Sequence, residues 1–217
     1  MSGASIKERG QGPQAGESDK RRQILEGARQ VFMASGFDGA SMGEIARAAG
    51  VSKGTLYVYF DSKEALFEAL TTEEKEGLAE ALFRLDEDDP DLCAVLTRLG
   101  TSYLAMMARP EHVSLIRMVI GACEKFPRFG QAFFEAGPAC GTERLKAYFD
   151  SQVAAGRLAP TTDTDLAAKH FLHLCQAGMM TRLLFNVGEA PSEAEIRYRV
   201  AEAVRVFYAG YGPPTAG

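Results

Sequence analysis

Apolar positions recur at helical spacing along almost the whole chain, and no stretch alternates with the period of two that marks a strand. The first periodic segment runs from Arg21 to Ser35 and breaks at Gly36-Phe37. Ser41 followed three residues later by Glu44 predicts a capping box opening a short helix. On that helix Ile45, Ala46 and Ala49 share a face, and Gly50 supplies the left-handed residue that ends it. Ser52 predicts the cap of a second short helix with Leu56 and Phe60 pointing inward, four apart. Asp61-Ser-Lys-Glu64 reads as another capping box, opening a helix from Ser62 to about Leu85, and the acidic run Asp86 to Pro90 reads as a solvated loop. Helices follow over Asp91 to Ala108 and Glu111 to Phe126, separated by Pro110, with Pro127 ending the second. Gly137-Pro138 and Gly156 bracket another, with Leu145, Tyr148, Phe149 and Val153 on one face. Pro160 breaks the chain, a helix starts at Asp163 or Thr164 and reaches Val187, and Pro191-Ser192 opens a last one to Ala209. The pattern predicts an all-α protein of about nine helices: an N-terminal three-helix head, then a helical body.

Two short helices joined at a sharp angle by a glycine turn form a helix-turn-helix. The second leaves Lys53, Gly54, Thr55, Tyr57 and Tyr59 largely outward. Gly54 lets the helix start approach base edges, Lys53 suits guanine acceptors, and Thr55 suits a base edge or a thymine methyl. Tyr57 and Tyr59 offer hydroxyls to phosphate, and Lys63, in the first turn of the next helix beside free backbone amides, offers an ammonium. A helical hairpin whose tyrosines merely pack is the competing reading, and an exposed Lys-Gly-Thr followed by two tyrosines is poor core material.

From about Lys20 to Leu70, and above all in SMGEIARAAGVSKGTLYVYFDSKEALFEAL, the chain resembles the TetR family of bacterial transcriptional regulators. The resemblance implies base-proximal roles for Lys53, Gly54 and Thr55 and phosphate roles for Ser41, Tyr57, Tyr59 and Lys63. Gly43 departs from the pattern, standing where some members place a longer DNA-contacting side chain. Farther along, RMVIGACEKFPRFGQAFFEAGPA, followed by GRL and a long amphipathic helix, resembles the C-terminal domain of AefR-like members. The expected order is a disordered arm over residues 1–18, a DNA-binding domain over 19–64, a ligand-binding and dimerisation domain over 65–210, and a tail over 211–217.

The formal charge of −5 argues against a uniform nucleic-acid binder. Positive charge is concentrated before residue 64 and the rest of the chain is acidic, which fits a DNA-reading head on a body kept off phosphates. The first twenty residues lack the apolar centre of a secretion signal, and no apolar run reaches the length of a membrane span. Cys93, Cys123, Cys140 and Cys175 are scattered without a CxxC pair, which predicts a reducing, cytoplasmic setting and leaves either small core residues or a redox-sensing pair.

In the body, Tyr103, Met106, Met107, Met118, Phe126, Phe133, Phe134 and His173 are candidate ligand-binding residues. Large adaptable side chains suit an apolar cavity as well as plain core. His112, Arg117, Gln131 and Gln176 are further polar candidates. The last two helices carry more apolar surface than a monomer needs, either for closing the body's own core or for pairing. The resemblance implies a dimer interface there, with Phe171, Leu174, Val200 and Val204 as its candidates. His170 and His173 have a metal-compatible spacing but no Cys, Asp or Glu partner at recognisable spacing. No phosphate loop, GxSxG or HExxH occurs, so neither a cofactor nor an enzyme is expected, although a helical hydrolase with dispersed residues stays open. The expected function is a homodimeric TetR-like repressor. It would be released from a palindromic double-stranded operator by a small apolar or amphipathic ligand, with control by cysteine redox state or a protein partner as the alternative.

Overall fold

A computed structural model describes residues 13–213, apart from the side chains of residues 13–16 and 74–80. The arm expected over residues 1–18 lies outside this range as far as residue 12, and from Pro13 the chain is already helical; the end of the expected tail, 214–217, also lies outside. Helices are the only regular structure among the described residues. The chain divides into two compact units, Met1–Leu70 and Thr71–Gly217.

The first unit contains α1 (Pro13–Gly39), α2 (Met42–Ala48), α3 (Lys53–Tyr59) and the start of α4 (Lys63–Leu82). Gly36, at a non-helical φ of 69° and ψ of 177°, interrupts α1 where the sequence predicts its break. Ile24, Leu25, Ala28 and Phe32 recur along one side of α1 and are buried. Phe32, Phe37 and Phe67 close the base of the unit, with the Phe67 ring centroid 5.1 Å from Phe32 and 5.2 Å from Phe37. Close packing of α1 on α2 depends on Gly27, because a Cβ there would lie 2.5 Å from the Ala49 backbone nitrogen. Gln23 Nε2 adds a 2.6 Å hydrogen bond to the Ala49 carbonyl, tying α1 to the turn before α3. Gly50 completes that turn at φ 64°, a conformation costly for a residue with a Cβ.

The second unit contains α5 (Leu92–Met107), α6 (Pro110–Cys123), α7 (Pro127–Phe134), α8 (Cys140–Ala154), α9 (Thr164–Gln176), α10 (Met179–Leu184) and α11 (Glu193–Tyr211). Leu96, Leu104, Leu145, Phe149, Phe171, Val200 and Phe207 form the centre of its core. Helix α11 packs on α5 and α9, and α9 on α8. Gly100 permits that closeness, since a Cβ there would meet Val200 Cγ1 at 2.9 Å and Cys175 Sγ at 3.2 Å.

Several element boundaries differ from expectation. Pro127 starts α7 instead of ending a helix; at the first helical position its missing N–H has no partner to lose. Gly137-Pro138 does not break the chain, because Glu135–Ala139 widens into a π-helical turn that joins α7 to α8. The long helix expected up to Val187 splits into α9 and α10, where Ala177 and Gly178 adopt φ of 38° and 81°. Helix α4 stops at Leu82, three residues early.

Candidate functional site

The turn between α2 and α3 is built by local capping. Ser41 and Glu44 form the capping box that their spacing predicts: Ser41 Oγ donates to Glu44 Oε2 at 2.7 Å and accepts from the Glu44 amide at 3.3 Å. The Ser41 hydroxyl, and after it the Ser41 amide, holds the Glu44 carboxyl below its ordinary pKa. Ser41 therefore spends its one hydroxyl hydrogen inside the box. Ser52 caps α3 by accepting from the Thr55 amide at 3.0 Å, and the two hydroxyls share a hydrogen bond at 2.8 Å. The Thr55 hydroxyl is thus engaged at the cap.

Lys53 and Gly54 are exposed at the start of α3, Tyr57 is half exposed, and Thr55 and Tyr59 lie partly covered. A Cβ on Gly54 would meet only Ser52 Oγ, at 3.7 Å, so the surface above it is open. Val58, which the sequence reading passed over, is 81% exposed. It stands four residues beyond Gly54 and so extends the same stripe, offering methyl groups of the kind that touch thymine. Its spacing from Gly54 was the available signal. Lys53 lies across α2: a Cβ at Gly43 would be 2.9 Å from Lys53 Cε and 3.2 Å from Nζ.

Lys63 requires a correction. Its Nζ donates to the carbonyl oxygens of Phe37 at 2.7 Å and Ala40 at 3.0 Å, with Asp38 at 3.4 Å, and lies 4.5 Å above the centre of the Phe37 ring. An ammonium with three donors aimed at three carbonyls is a clamp on the end of α1, not a group free for phosphate. The cap of α4 differs too, because the Ala65 amide donates to Ser62 Oγ at 3.1 Å and no Asp61–Glu64 box forms.

The second unit holds a cavity of about 310 Å³, at the lower end of the usual size for small-molecule sites. Of the predicted ligand residues, Tyr103, Met106, Met107, Phe133, Phe134 and His173 line it, together with the polar candidates His112 and Gln176. Two others do not. Met118 lies two residues past the lining Ile116, hence on another side of α6, and Phe126 sits in the α6–α7 corner with its ring 5.1 Å from that of Phe129. Arg117 is also elsewhere, donating to the carbonyls of Leu184 at 2.9 Å and Leu183 at 2.5 Å, while Gln131 donates to Glu135 at 2.9 Å. The wall includes Gly137 and Pro138 of the π-helical turn. A Cβ on Gly141 would come within 2.7 Å of the Phe83 ring, so that glycine sets where Phe83 stands in the wall. Burial pushes the Tyr103 hydroxyl up to about 12, keeping it a neutral donor at physiological pH.

Three of the four predicted interface residues are also reassigned. Phe171, Val200 and Val204 are buried within the subunit's own core, and the Phe171 ring meets Phe207 edge-on at 5.5 Å. Leu174 is partly buried against that core. The large apolar residues left exposed on these two helices are Leu166 on α9 and Tyr198, Val206 and Tyr208 on α11, with Tyr198 at 71% exposure. His170 Nδ1 is hydrogen-bonded to the Tyr211 hydroxyl at 2.5 Å and His173 Nδ1 to the Lys169 carbonyl at 2.7 Å.

No helix among the described residues is long and apolar enough to cross a membrane. The profile of bacterial regulatory proteins of the tetR family matches residues 24–70, and that of the AefR-like transcriptional repressor C-terminal domain matches residues 94–213. An HTH-type transcriptional repressor of Mycobacterium tuberculosis is 29% identical over 172 residues, covering 76% of this chain and 82% of that one. A TetR-family regulator from Mesorhizobium loti aligns with a TM-score of 0.85 at 27% identity, over 90% of this chain and 98% of that one. The flavonoid-responsive regulator FrrA aligns with a TM-score of 0.78 at 30% identity, over 92% of this chain and all (100%) of that one. The chain belongs to the TetR family of DNA-binding transcriptional repressors, carries an AefR-like C-terminal domain, and is a regulator, not an enzyme.

Proposed function

We propose that the chain works as a homodimer on a palindromic operator and leaves it when a small apolar or amphipathic ligand enters the cavity of the second unit. The carrying observation is the 310 Å³ cavity itself, walled by methionine and aromatic side chains in a chain whose other unit reads DNA. Such side chains repack around differently shaped ligands. FrrA, similar over its whole length, is by name flavonoid-responsive, which supports a small organic effector here. Helix α4 offers a route for coupling, since it begins at Lys63 in the head and ends at Leu82 in the cavity wall. Burial raises the Cys93 thiol and lifts that of Cys175 to about 12, which disfavours the thiolate at both.

A single short recognition helix covers only a few base pairs, so two-fold pairing is the natural way to specify a site. Its half-site centres then lie about 34–36 Å apart, or somewhat more on bent DNA. The outer faces of α9 and α11, with Leu166, Tyr198 and Val206, are the proposed contact. A ligand releases DNA only through different affinities for the operator-bound and free forms, and the coupling is reciprocal. Selection of bound sites from random duplexes, followed by calorimetry with a panel of apolar and aromatic compounds, tests the whole reading. The selected site should be palindromic, and an effector should bind free protein more tightly than the complex by the factor with which it weakens DNA binding. Finding no binder, or binders that leave operator affinity unchanged, would overturn ligand control.

A further inference from the structure

The polar groups in the cavity wall are unequally distributed along its length. Helix α9 contributes Lys169, Leu172, His173 and Gln176, one continuous stripe at helical spacing. Lys169 and Gln176 are seven residues apart, about 10 Å along the helix axis. At the inner end Gln176 Nε2 donates to the Tyr103 hydroxyl, so that hydroxyl keeps its own hydrogen for an acceptor. At the outer end Lys169 Nζ pairs with Asp165 at 2.5 Å, which occupies one of three donors. His173 lies between the two, four residues from Lys169 and three from Gln176: its Nδ1 faces the Lys169 carbonyl, which only accepts, so Nδ1 carries the hydrogen and Nε2 is left for another partner. The rest of the wall is mostly apolar, with His112 and Thr142 as its further polar side chains, and no carboxylate lines the cavity among the described residues.

We infer that this cavity takes an elongated amphipathic anion: a carboxylate at Lys169, a flat or flexible apolar body against Met106, Met107 and Leu172, and an oxygen acceptor about 10 Å away under the Tyr103 hydroxyl. The inference rests on the ligand-controlled reading above and narrows it. A neutral apolar compound fills the middle of such a site but leaves both ends unused. A cation meets Lys169 with only Asp165, which is already paired to that ammonium, to offset it.

Calorimetry with 4-hydroxycinnamate, its uncharged methyl ester and cinnamate, on the full chain, tests both ends, and N-phenyl-1-naphthylamine serves as a neutral fluorescent occupant. The acid should bind about tenfold more tightly than its ester. Lys169→Gln should bring the two within about twofold, and Tyr103→Phe should remove the advantage of 4-hydroxycinnamate over cinnamate. Unchanged binding of the naphthylamine to each variant shows that the fold survives. If the naphthylamine binds wild type but the acid has no advantage over its ester, or keeps it in Lys169→Gln, the anion assignment is wrong and the cavity reading stands. If none of the four compounds binds, the cavity reading fails with it.

Discussion

Replacing Lys63 by Met keeps most of the aliphatic stem and removes only the ammonium, which separates two roles for this side chain. In the structure that ammonium holds three carbonyl oxygens, at 2.7, 3.0 and 3.4 Å, and stacks over Phe37 at 4.5 Å. A hydrogen bond to a charged group contributes about 1.5–3 kcal/mol. The two shorter ones dominate here, and because the site is only partly buried, water rehydrates some of the freed carbonyls. A loss of about 2–3 kcal/mol follows, including a ring contact of about 0.5–1 kcal/mol. For a chain of this length that lowers the melting midpoint by roughly 5–10 °C if the units melt together. The second measurement is the salt dependence of duplex binding. A phosphate-bound lysine would make the slope of log K against log salt shallower by about one on removal, whereas a clamp inside the head leaves the slope unchanged. A variant with wild-type melting and a shallower slope would refute the clamp.

Gly27→Ala should lower the melting midpoint by about 1–3 kcal/mol equivalent, since the new methyl meets the Ala49 backbone; a stabilised variant, as helix propensity alone would give, would show that the contact yields freely. Met107→Trp should fill the cavity and abolish any ligand response in a DNA-release assay while operator affinity stays within about twofold. Tyr198→Glu with Leu166→Asp should yield a folded monomer by sedimentation at micromolar concentration, and a persistent dimer would move the interface off these faces. Arg29 holds the Glu26 carboxyl below its ordinary 4.5, and Thr164 with Lys146 holds Asp150 below 3.8, so their stabilisation is present above those values and lost as pH falls through the lower folded-state values. Denaturant midpoints should be level from pH 7 to about 5 and fall below about pH 4; a midpoint that rises on acidification would contradict the sign.

How much of this fold the sequence discloses depends on whether the deciding interaction is local. Ser41-Glu44, Ser52 and Gly50 act within three or four residues, and those caps and that turn stand where the spacing predicts. Proline is harder to read, because one residue type opens a helix at Pro127, where its missing N–H is harmless, and passes through one at Pro138, where the ladder widens. The split between α9 and α10 falls at Ala177, which has no intrinsic preference for φ 38°; adjacent Gly178 was the only cue, buried in an otherwise helical pattern.

The sites divide along the same line, with one further distinction. Tyr103, Met106 and Met107, and then Leu172, His173 and Gln176, come to the cavity because helical spacing places them on two facing stripes, so composition and period sufficed to nominate most of them. Lys63 was misread because its partners lie 23 to 26 residues earlier, beyond any local pattern, and a lysine at a helix start looks alike whether it faces phosphate or carbonyl. Phe171, Val200 and Val204 were misread for a related reason. A clean apolar stripe reports that a face is buried but not by what, and here α5, α9 and α11 bury one another within a single chain. The surface proposed above for a second copy is the less regular residue set that this packing leaves outside, which no apolar stripe in the sequence marks out.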